Sequence, residues 1–254
     1  MSSPSANVAT MRPFYARHAG AYDALITDPV DPWADAVHSH LARAGVACAT
    51  LLDAGCGTGR HANGLIQRGH VVELLDASEE LLTIATRRCP TAVAHHGDIC
   101  GLSLPRSFDA VICRGVLNDL ITDAERDNAL SGFANVVGVD GSVVLDLRES
   151  ESSKARADGV ARRREVDLAA GDRLVFTSTP QWQDGLIIVQ EQYDLIEANG
   201  CQSTHTYTFR MRPWRVEEIR QRLKRAGFDR IEISPGHGRR ASDRLFVVAR
   251  RAVR

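Results

Sequence analysis

The amino-acid sequence predicts an α/β fold in which a doubly wound, Rossmann-like, mostly parallel sheet of seven strands has helices on both faces. Three observations support this prediction. From Thr50 onward, short apolar runs alternate with segments of helical periodicity, and a glycine-rich turn follows the first run. Residues 172–212 instead resemble β-strands throughout, which predicts an antiparallel β insertion. We therefore expect residues 1–254 to form one domain that contains this insertion.

The first segment, residues 1–49, is predicted to be a helical cap. Between Asn7 and Ala44, aromatic and aliphatic side chains recur at helical spacing. Pro29 and Pro32 interrupt this pattern, and proline is tolerated in the first turn of a helix but not in its interior. One helix should therefore end before these prolines and a second should begin at them.

Residues 50–147 contain the predicted parallel core. Its strands are expected at the runs TLLDAG, HVVELLDAS, AVAHHGD, FDAVICRG and GSVVLDL, with helical segments between them. The polar segment from Arg148 to Glu165 is expected to be a loop or an exposed helix that follows the last of these strands.

The insertion covers residues 148–212, and three β-type runs occupy its second half: RLVFTSTPQW, GLIIVQEQYDLI and CQSTHTYTFRMR. Asp184-Gly185 is typical of the turn of a β-hairpin and should join the first two runs. Residues 213–254 then resume the α/β pattern with an amphipathic helix over 216–226, a glycine cap at Gly227 and two final strands.

The charge balance argues against a general attraction to nucleic acid or anionic lipid, because 31 Lys and Arg residues face 32 Asp and Glu residues for a formal net charge of −1. The N-terminus lacks the apolar segment of a signal peptide, and no apolar run approaches the ~20 residues that span a bilayer. The six cysteines contain no C-x-x-C pair, which predicts neither zinc nor a disulfide framework. We expect a cytoplasmic protein without a metal, a membrane partner or a nucleic-acid partner.

The glycine-rich turn is the strongest functional signal. In LLDAGCGTGRHA at 51–62, an apolar strand ends at Asp53 and a turn with three glycines leads into a helix. Glycine leaves the backbone accessible, and the helix N-terminus offers N–H groups to a carboxylate or phosphate. Two acids follow at strand ends: Asp76 lies 23 residues after Asp53, and Asp98 lies 22 residues after Asp76. A carboxylate at the position of Asp76 can accept hydrogen bonds from both hydroxyls of a ribose.

These motifs resemble those of the class I S-adenosylmethionine-dependent methyltransferases, in DAGCGTG at 53–59, LLDAS at 74–78, GDI at 97–99 and FDAVIC at 108–113. The resemblance implies a methyltransferase whose cofactor is S-adenosyl-L-methionine. It implies that the glycine turn holds the methionine end, Asp76 the ribose, and Asp98 with Ile99 the adenine. The cofactor-binding residues expected on this basis are Tyr22, Asp53, Gly55, Cys56, Gly57, Gly59, Asp76, Ala77, Asp98, Ile99 and Arg114.

Other roles remain open for the three acids. Asp53 could bond to the backbone of the turn, and Asp76 and Asp98 could cap the helices that follow them. The turn Gly57-x-Gly59-x-x-Ala62 also fits a dinucleotide fingerprint, so an NAD-dependent oxidoreductase is an alternative. Asp53, Asp98 and the absence of a Tyr-x-x-x-Lys pair argue against it.

The flanking segments resemble those of the aminosugar N,N-dimethyltransferases and the wider glycine N-methyltransferase-like enzymes, through AGAYDALI at 20–27 and the β insertion. This likeness implies that Tyr22, with Tyr15 or Trp33, closes over the cofactor and that the insertion covers the acceptor pocket. The alternatives are packing in the core for the aromatic residues and a homodimer interface for the insertion.

The acceptor site is expected beside CRGVLND at 113–119, where Arg114, Asn118 and Asp119 are candidates. This segment is not the Asp/Asn-Pro-Pro-aromatic motif of enzymes that methylate nucleic-acid amines, so a small molecule is the expected partner. Arginines past the fifth strand and in the insertion could bind an acceptor carboxylate. The expected substrate-binding residues are Tyr15, Trp33, Arg148, Tyr207 and Arg212, with Arg210 as a further candidate.

His205 and Asn118 are the expected catalytic residues. An amine acceptor needs only to arrive unprotonated, whereas a hydroxyl needs a base or a metal, and the sequence shows no cluster of metal ligands. Methyl transfer to nitrogen by proximity and alignment is therefore favoured. O-methylation with His205 as the base and a protein that binds the cofactor without catalysis are the alternatives.

Overall fold

The structure is a computed structural model and describes residues 12–168, 171–239 and 242–251. Its helices are α1 (Ala19–Leu25), α2 (Asp31–Arg43), α3 (Arg60–Ile66), α4 (Glu79–Arg88), α5 (Asp123–Val136), α6 (Ser150–Arg156) and α7 (Val216–Arg225). Short 3₁₀ helices lie at Pro13–Tyr15, Ile99–Gly101 and Val116–Asn118. The strands are β1 (Thr50–Ala54), β2 (Val71–Asp76), β3 (Ala94–His96), β4 (Phe108–Arg114), β5 (Val137–Arg148), β6 (Arg162–Asp167), β7 (Arg173–Gln183), β8 (Leu186–Ile196), β9 (Gln202–Met211), β10 (Phe228–Pro235) and β11 (Arg244–Arg251).

The central sheet has seven strands in the spatial order β3, β2, β1, β4, β5, β11, β10. The strands from β3 to β5 are parallel, and Leu51 of β1 pairs with Val72 on one side and Ala110 on the other. Strand β11 lies antiparallel to both β5 and β10. The predicted doubly wound, mostly parallel sheet of seven strands is confirmed.

Helices cover both faces of this sheet because its central strands are apolar on both sides. Helices α2, α3 and α4 pack on one face, around Trp33 and Leu65. Helices α5 and α7 pack on the other face, around Phe133 and Leu223. All four of these side chains are fully buried, so each face of the sheet has an apolar core of its own.

Several predicted helix boundaries follow from capping chemistry. The Ser78 hydroxyl accepts a hydrogen bond from the Leu81 N–H at the start of α4. Thr122 and Glu125 form a reciprocal capping box at the start of α5. Gly227, with a φ of +91°, lies just past the end of α7, as expected for a glycine cap.

The cap agrees with its prediction where the structure describes it, because α1 ends at Leu25 and α2 begins at Asp31 with Pro32 in its first turn. The part of the expected helical segment that covers 7–11 lies outside the described residues. Phe14 and Leu25 of the cap pack against Phe176 and Tyr193 of the insertion, and these residues form a third apolar cluster.

The insertion contains a second, antiparallel sheet in the order β6, β7, β8, β9, which we call the lid sheet. Asp184 and Gly185 both have positive φ in the turn between β7 and β8, as the predicted hairpin requires. The expectation of a loop or exposed helix over Arg148–Glu165 was only partly correct. Helix α6 is there, but β6 follows it and adds a fourth strand. This edge strand, RRREVD, buries only Val166, so it lacks the apolar alternation that would have predicted it.

Within the described residues, no helix combines the length and apolar character that crossing a bilayer would require.

Candidate active site

The carboxyl ends of β1, β2 and β4, the cap and the inner face of the lid sheet enclose a cavity of about 490 Å³. This volume lies within the range of small-molecule sites. One half of the cavity is lined by the glycine turn and the strand-end acids, and we call it the cofactor half. The other half is lined by Asp119, Arg148 and the lid sheet, and we call it the acceptor half.

The three glycines of the turn have different roles. Gly55, Gly57 and Gly59 all have positive φ, which other residues adopt only with strain. A Cβ on Gly55 would also overlap the side chain of Val116, whereas one on Gly59 would lie 3.1 Å from the Cα of Ala85. Gly55 and Gly57 line the cavity, but Gly59 does not and instead allows α3 and α4 to pack closely. The predicted contact of Gly59 with the cofactor is thus replaced by a packing role.

Asp76 supports the turn and also faces the cavity. Its Oδ2 accepts a hydrogen bond from Gly57 N (2.7 Å), and its Oδ1 accepts one from Ser78 N (2.9 Å). Burial raises the pKa of Asp76, and the backbone N–H groups of Ser78, Gly57 and Ala77 oppose this shift.

The other predicted cofactor-binding residues of this region also line the cavity: Asp53, Cys56, Ala77, Asp98 and Ile99. Asp98 Oδ1 accepts a hydrogen bond from Cys100 N at 2.8 Å, so it caps a short 3₁₀ helix as well. Burial, followed by the charge of Asp76, raises the pKa of Asp53 to about 7.

Three guanidinium groups surround one buried carboxylate next to the cofactor half. Asp146 lies 2.8 Å from an Nη of Arg244, 3.4 Å from an Nη of Arg239 and 3.8 Å from Nε of Arg114. Burial lowers the pKa of Arg114 to about 10 and that of Arg244 to about 9. The Nε atoms of both have no hydrogen-bond partner among the described residues. Asp28 also pairs with Arg239 at 3.2 Å, so two carboxylates face three guanidinium groups. The remaining positive charge suits an anionic group such as the carboxylate of a methionine moiety.

Arg114 also fixes the state of a neighbouring histidine. Its Nη1 lies 2.5 Å from His61 Nε2, and a second Nη donates to the Gly238 carbonyl at 3.1 Å. Burial, together with the Arg114 charge, lowers the pKa of His61 well below its usual value. His61 is therefore a neutral acceptor. Arg114 lines the cavity, and its predicted contact with the cofactor stays a prediction.

The cap is tied to the cofactor half by several hydrogen bonds. Asp23 of α1 accepts hydrogen bonds from Thr58 of the glycine turn and from Arg88 of α4. Arg60 donates to the Ile26 carbonyl at 2.8 Å. Tyr22 lines the cavity, which places this predicted aromatic residue over the cofactor half.

The aromatic cap residues and Trp33 separate into two groups. Tyr15 packs edge-on against Tyr22 with 5.5 Å between ring centroids, and both rings line the cavity. Trp33 does not line it. Its indole is fully buried and packs edge-on against His61 at 5.5 Å, so the prediction that Trp33 binds substrate is corrected to a role in the core.

Asn118 lines the cavity, but its polar atoms are engaged with the backbone. Its Nδ2 donates to the Gly115 carbonyl at 2.7 Å, and its Oδ1 accepts from Arg148 N at 2.8 Å. Asn118 therefore holds the end of β4 to the end of β5. Its predicted catalytic role stays a prediction.

Three predicted residues of the lid segment lie outside the cavity lining. His205 and Tyr207 occupy the same face of β9 as Phe209 and Met211, but only the latter two reach the cavity. His205 Nε2 instead lies 2.9 Å from Arg17 Nη1. Arg212 is paired with Asp123 at 2.7 Å and with Glu218 at 2.9 Å on the side of α5 and α7. The predicted substrate or catalytic contacts of these residues are therefore not supported by their positions.

Arg148 lines the cavity as predicted and is paired with Asp243, whereas Arg210 is exposed on the opposite face of β9. The structure adds residues that sequence reasoning missed, and they share a charged side chain facing the cavity: Arg12, Arg162, Arg164, Glu191, Arg239 and Arg244. The sequence could have indicated Glu191, because this acid interrupts the apolar series Ile187, Val189 and Tyr193 on one face of β8.

Comparison with known proteins supports the class predicted from the motifs. Residues 51–141 match the family model described as "Methyltransferase domain". A stretch of 99 residues is 46% identical to the dTDP-3-amino-3,6-dideoxy-alpha-D-glucopyranose N,N-dimethyltransferase of Streptomyces fradiae, and this match covers 39% of each chain. A second relative, the dTDP-3-amino-3,4,6-trideoxy-alpha-D-glucopyranose N,N-dimethyltransferase of Streptomyces venezuelae, is 35% identical over 98 residues, or 38% of this chain and 41% of that protein. The chain thus matches about two fifths of the length of these curated relatives.

Solved structures resemble the whole chain. CalS10, a SAM-bound amino pentose methyltransferase of Micromonospora echinaspora, is 26% identical, with a TM-score of 0.74 over 92% of this chain and 96% of that one. The sugar N-methyltransferase KedS8 of Streptoalloteichus has a TM-score of 0.79 over 93% of each chain, and at 21% identity it shows the fold alone.

The fold and the site define a class I S-adenosylmethionine-dependent methyltransferase, with S-adenosyl-L-methionine as the cofactor of the class. Within this class, the chain is similar to aminosugar N,N-dimethyltransferases over 98 to 99 residues and to the CalS10 structure over 92% of its length. The alternative of an NAD-dependent oxidoreductase is not favoured.

Proposed function

We propose that the protein transfers a methyl group from S-adenosylmethionine to the amino nitrogen of a small sugar. The observation that carries this proposal is that the cofactor half and an acidic, arginine-rich acceptor half form one continuous cavity under the lid sheet. The names of the curated relatives and of the CalS10 structure point to amino sugars as acceptors.

The residues that would hold the cofactor are those of the cofactor half. Gly55 and Gly57 would admit its methionine end close to the backbone, and the cationic group around Asp146 would bind its carboxylate. Asp76 would accept hydrogen bonds from the ribose, and Asp98 with Ile99 would face the adenine. Bound S-adenosylmethionine supplies an electrophilic methyl group on a sulfonium.

Nitrogen is favoured over oxygen because of the charges in the acceptor half. Asp119 lines it, and a carboxylate attracts a cationic amine. His205, which O-methylation would need as a base, does not reach the cavity. The protein would then act chiefly by holding the amine in line with the methyl group in a site screened from water, and alignment of this kind can lower a barrier by roughly 7–11 kcal/mol.

The acceptor half also suits an anionic handle on the sugar. Arg148 and Arg156 lie at its edge beside Asp243, and Arg162 and Arg164 extend from β6 into the lining. Arginine matches phosphate oxygens with paired hydrogen bonds. Together with the dTDP sugars named for the two curated relatives, these arginines favour an acceptor linked to a nucleoside diphosphate.

The proposal is tested by incubating the purified protein with S-adenosylmethionine and matched sugars that carry either an amino group or a hydroxyl at the same carbon. We expect the mass of the amino sugar to rise by one or two methyl groups and the hydroxyl sugar to remain unchanged. The matched protein control is Asp76→Asn, which should retain the fold and lose most turnover. Methylation of the hydroxyl sugar alone, or no methylation of any amine, would overturn the proposal.

A further inference from the structure

Asp119 lines the acceptor half close to the glycine turn. It directly follows the 3₁₀ helix Val116–Asn118, and its N–H donates to the Val116 carbonyl at 2.9 Å. The Val116 side chain packs against Gly55 of the glycine turn. Asp119 is therefore within one helical turn of a residue that contacts the cofactor half, while its own side chain lines the acceptor half.

The groups that act on Asp119 come from four directions. The cap contributes Arg12, Tyr15 and Tyr22, the end of β5 contributes Arg148, and β11 contributes Arg244. The lid sheet contributes Glu191 and Tyr207. Asp119 therefore interacts electrostatically with the cap, the end of β5, β11 and the lid sheet together.

The other acids of the cavity lie elsewhere. Glu191 is on the lid sheet, where it accepts hydrogen bonds from Arg12 Nε at 2.9 Å and from the Tyr193 hydroxyl at 2.5 Å. Asp53, Asp76 and Asp98 lie in the cofactor half. Asp119 differs from them by its position, because it lines the acceptor half directly after the 3₁₀ helix whose Val116 contacts the glycine turn.

Resting on the proposed function, we propose that Asp119 binds the ammonium form of the acceptor nitrogen and accepts its proton. The N–H bond breaks, an O–H bond forms on the Asp119 carboxylate, and the bonding electrons stay on nitrogen as the lone pair that attacks the methyl group. The proton then passes from Asp119 to water, which restores the carboxylate. No further reactant is required.

The acidity of Asp119 suits this exchange. Burial raises its pKa to about 6, although the nearby charges of Arg12, Arg148 and Arg244 oppose the increase. At neutral pH the group is therefore ionised and can bind an ammonium, yet it takes up a proton more readily than an ordinary aspartate. Below about pH 6 the carboxylate is protonated, and the ammonium loses its partner.

The first test compares the pH dependence of kcat/KM for the wild type, Asp119→Asn and Asp119→Glu. We expect Asp119→Asn to lower kcat/KM at least ~100-fold and to abolish the decline below about pH 6. Asp119→Glu should restore part of the rate and keep the decline. Glu217→Gln, which changes an exposed acid on α7, should behave as the wild type.

The second test measures acceptor binding by calorimetry in the presence of S-adenosylhomocysteine, so that no reaction occurs. Asp119→Asn should weaken binding of the amino sugar about tenfold or more and leave the affinity for the matched hydroxyl sugar unchanged. Equal losses for both sugars, or a pH profile of Asp119→Asn that matches the wild type, would overturn the inference. A wild type that methylates no amine would instead contradict the proposed function itself.

Discussion

Arg12 of the cap and Glu191 of the lid sheet form a paired interaction across the top of the cavity. Arg12 Nε lies 2.9 Å from Glu191 Oε2, and Arg12 Nη2 contacts the other carboxylate oxygen. The guanidinium also stacks over the ring of Phe209 at 4.2 Å. Two segments far apart in the sequence are joined here by a nearly buried ion pair, because the Glu191 side chain is only 1% exposed.

We predict that Glu191→Gln destabilises the protein and opens the acceptor half. Removal of one charge leaves Arg12 without its counterion in a low-dielectric environment, which should lower the free energy of unfolding by about 2 kcal/mol. The KM for the acceptor should rise while cofactor affinity changes little. Chemical denaturation and calorimetry measure these effects, and Glu165→Gln on β6, an exposed acid paired with Arg163, is the control. Equal stability of the two variants would contradict the prediction.

We predict that Asp76→Asn weakens binding of S-adenosylhomocysteine by about 1–3 kcal/mol, the usual loss when a charged hydrogen-bond acceptor is removed. Asp109→Asn is a matched control, because Asp109 also accepts a backbone hydrogen bond, from Thr50 N at 2.7 Å, but does not line the cavity. It should reduce stability without an effect on affinity. Unchanged affinity in a folded Asp76→Asn variant would show that Asp76 serves only the turn.

The raised pKa of Asp53 predicts a specific dependence of stability on pH. Because its pKa is about 7 in the folded protein and near 3.8 when unfolded, the folded state binds the proton more tightly. This contribution is greatest below about pH 4 and is lost as the pH rises through 7. Other groups titrate as well, so the measurement is the difference in unfolding free energy between Asp53→Asn and the wild type across this range. We expect that difference to shift in favour of the variant by a few kcal/mol. A constant difference would contradict the prediction.

The two neighbouring arginines of β6 provide a test of the anionic handle. Arg162 lines the cavity and is paired with Asp158 at 2.7 Å, whereas the next residue, Arg163, is paired with Glu165 outside the lining. Arg162→Ala should raise the KM for a nucleotide-linked amino sugar about five- to tenfold, and Arg163→Ala should not. The effect should diminish at high ionic strength because the site is partly exposed. Similar KM values for the two variants would indicate that the sugar carries no anion at this position.

The sequence predicted the central sheet well because the sheet depends on local signals. The carboxyl ends of parallel strands share one edge of a sheet, so acids at strand ends such as Asp76 and Asp98 had to lie close together. The lid residues were harder to predict. Tyr207 and Phe209 share one face of β9, but Phe209 lines the cavity and Tyr207 does not. The sequence pattern does not show how far along the strand the cavity extends.

Arg212 and Trp33 illustrate a second limit. Arg212 is occupied by Asp123, 89 residues away in the chain, and no local pattern reveals such a pairing. The helical spacing of Trp33 is the same whether the side chain packs in the core or lines a site. Only the packed structure shows which of the two it does. The assignment of residues 1–254 to one domain, the cytoplasmic location and a homodimer stay predictions.

The cap contacts the glycine turn through Asp23 and Thr58 and contacts the lid sheet through Arg12 and Glu191. Both ligands would therefore be enclosed by the same segment, and the spent cofactor could leave only when that segment moves away from the acceptor as well. The names of the curated relatives state that their acceptors receive two methyl groups. An acceptor methylated twice here would be exposed to solvent between the two transfers, because the cap must open to exchange the cofactor. Methylation should then be distributive, with the monomethylated sugar accumulating in solution before the dimethylated product.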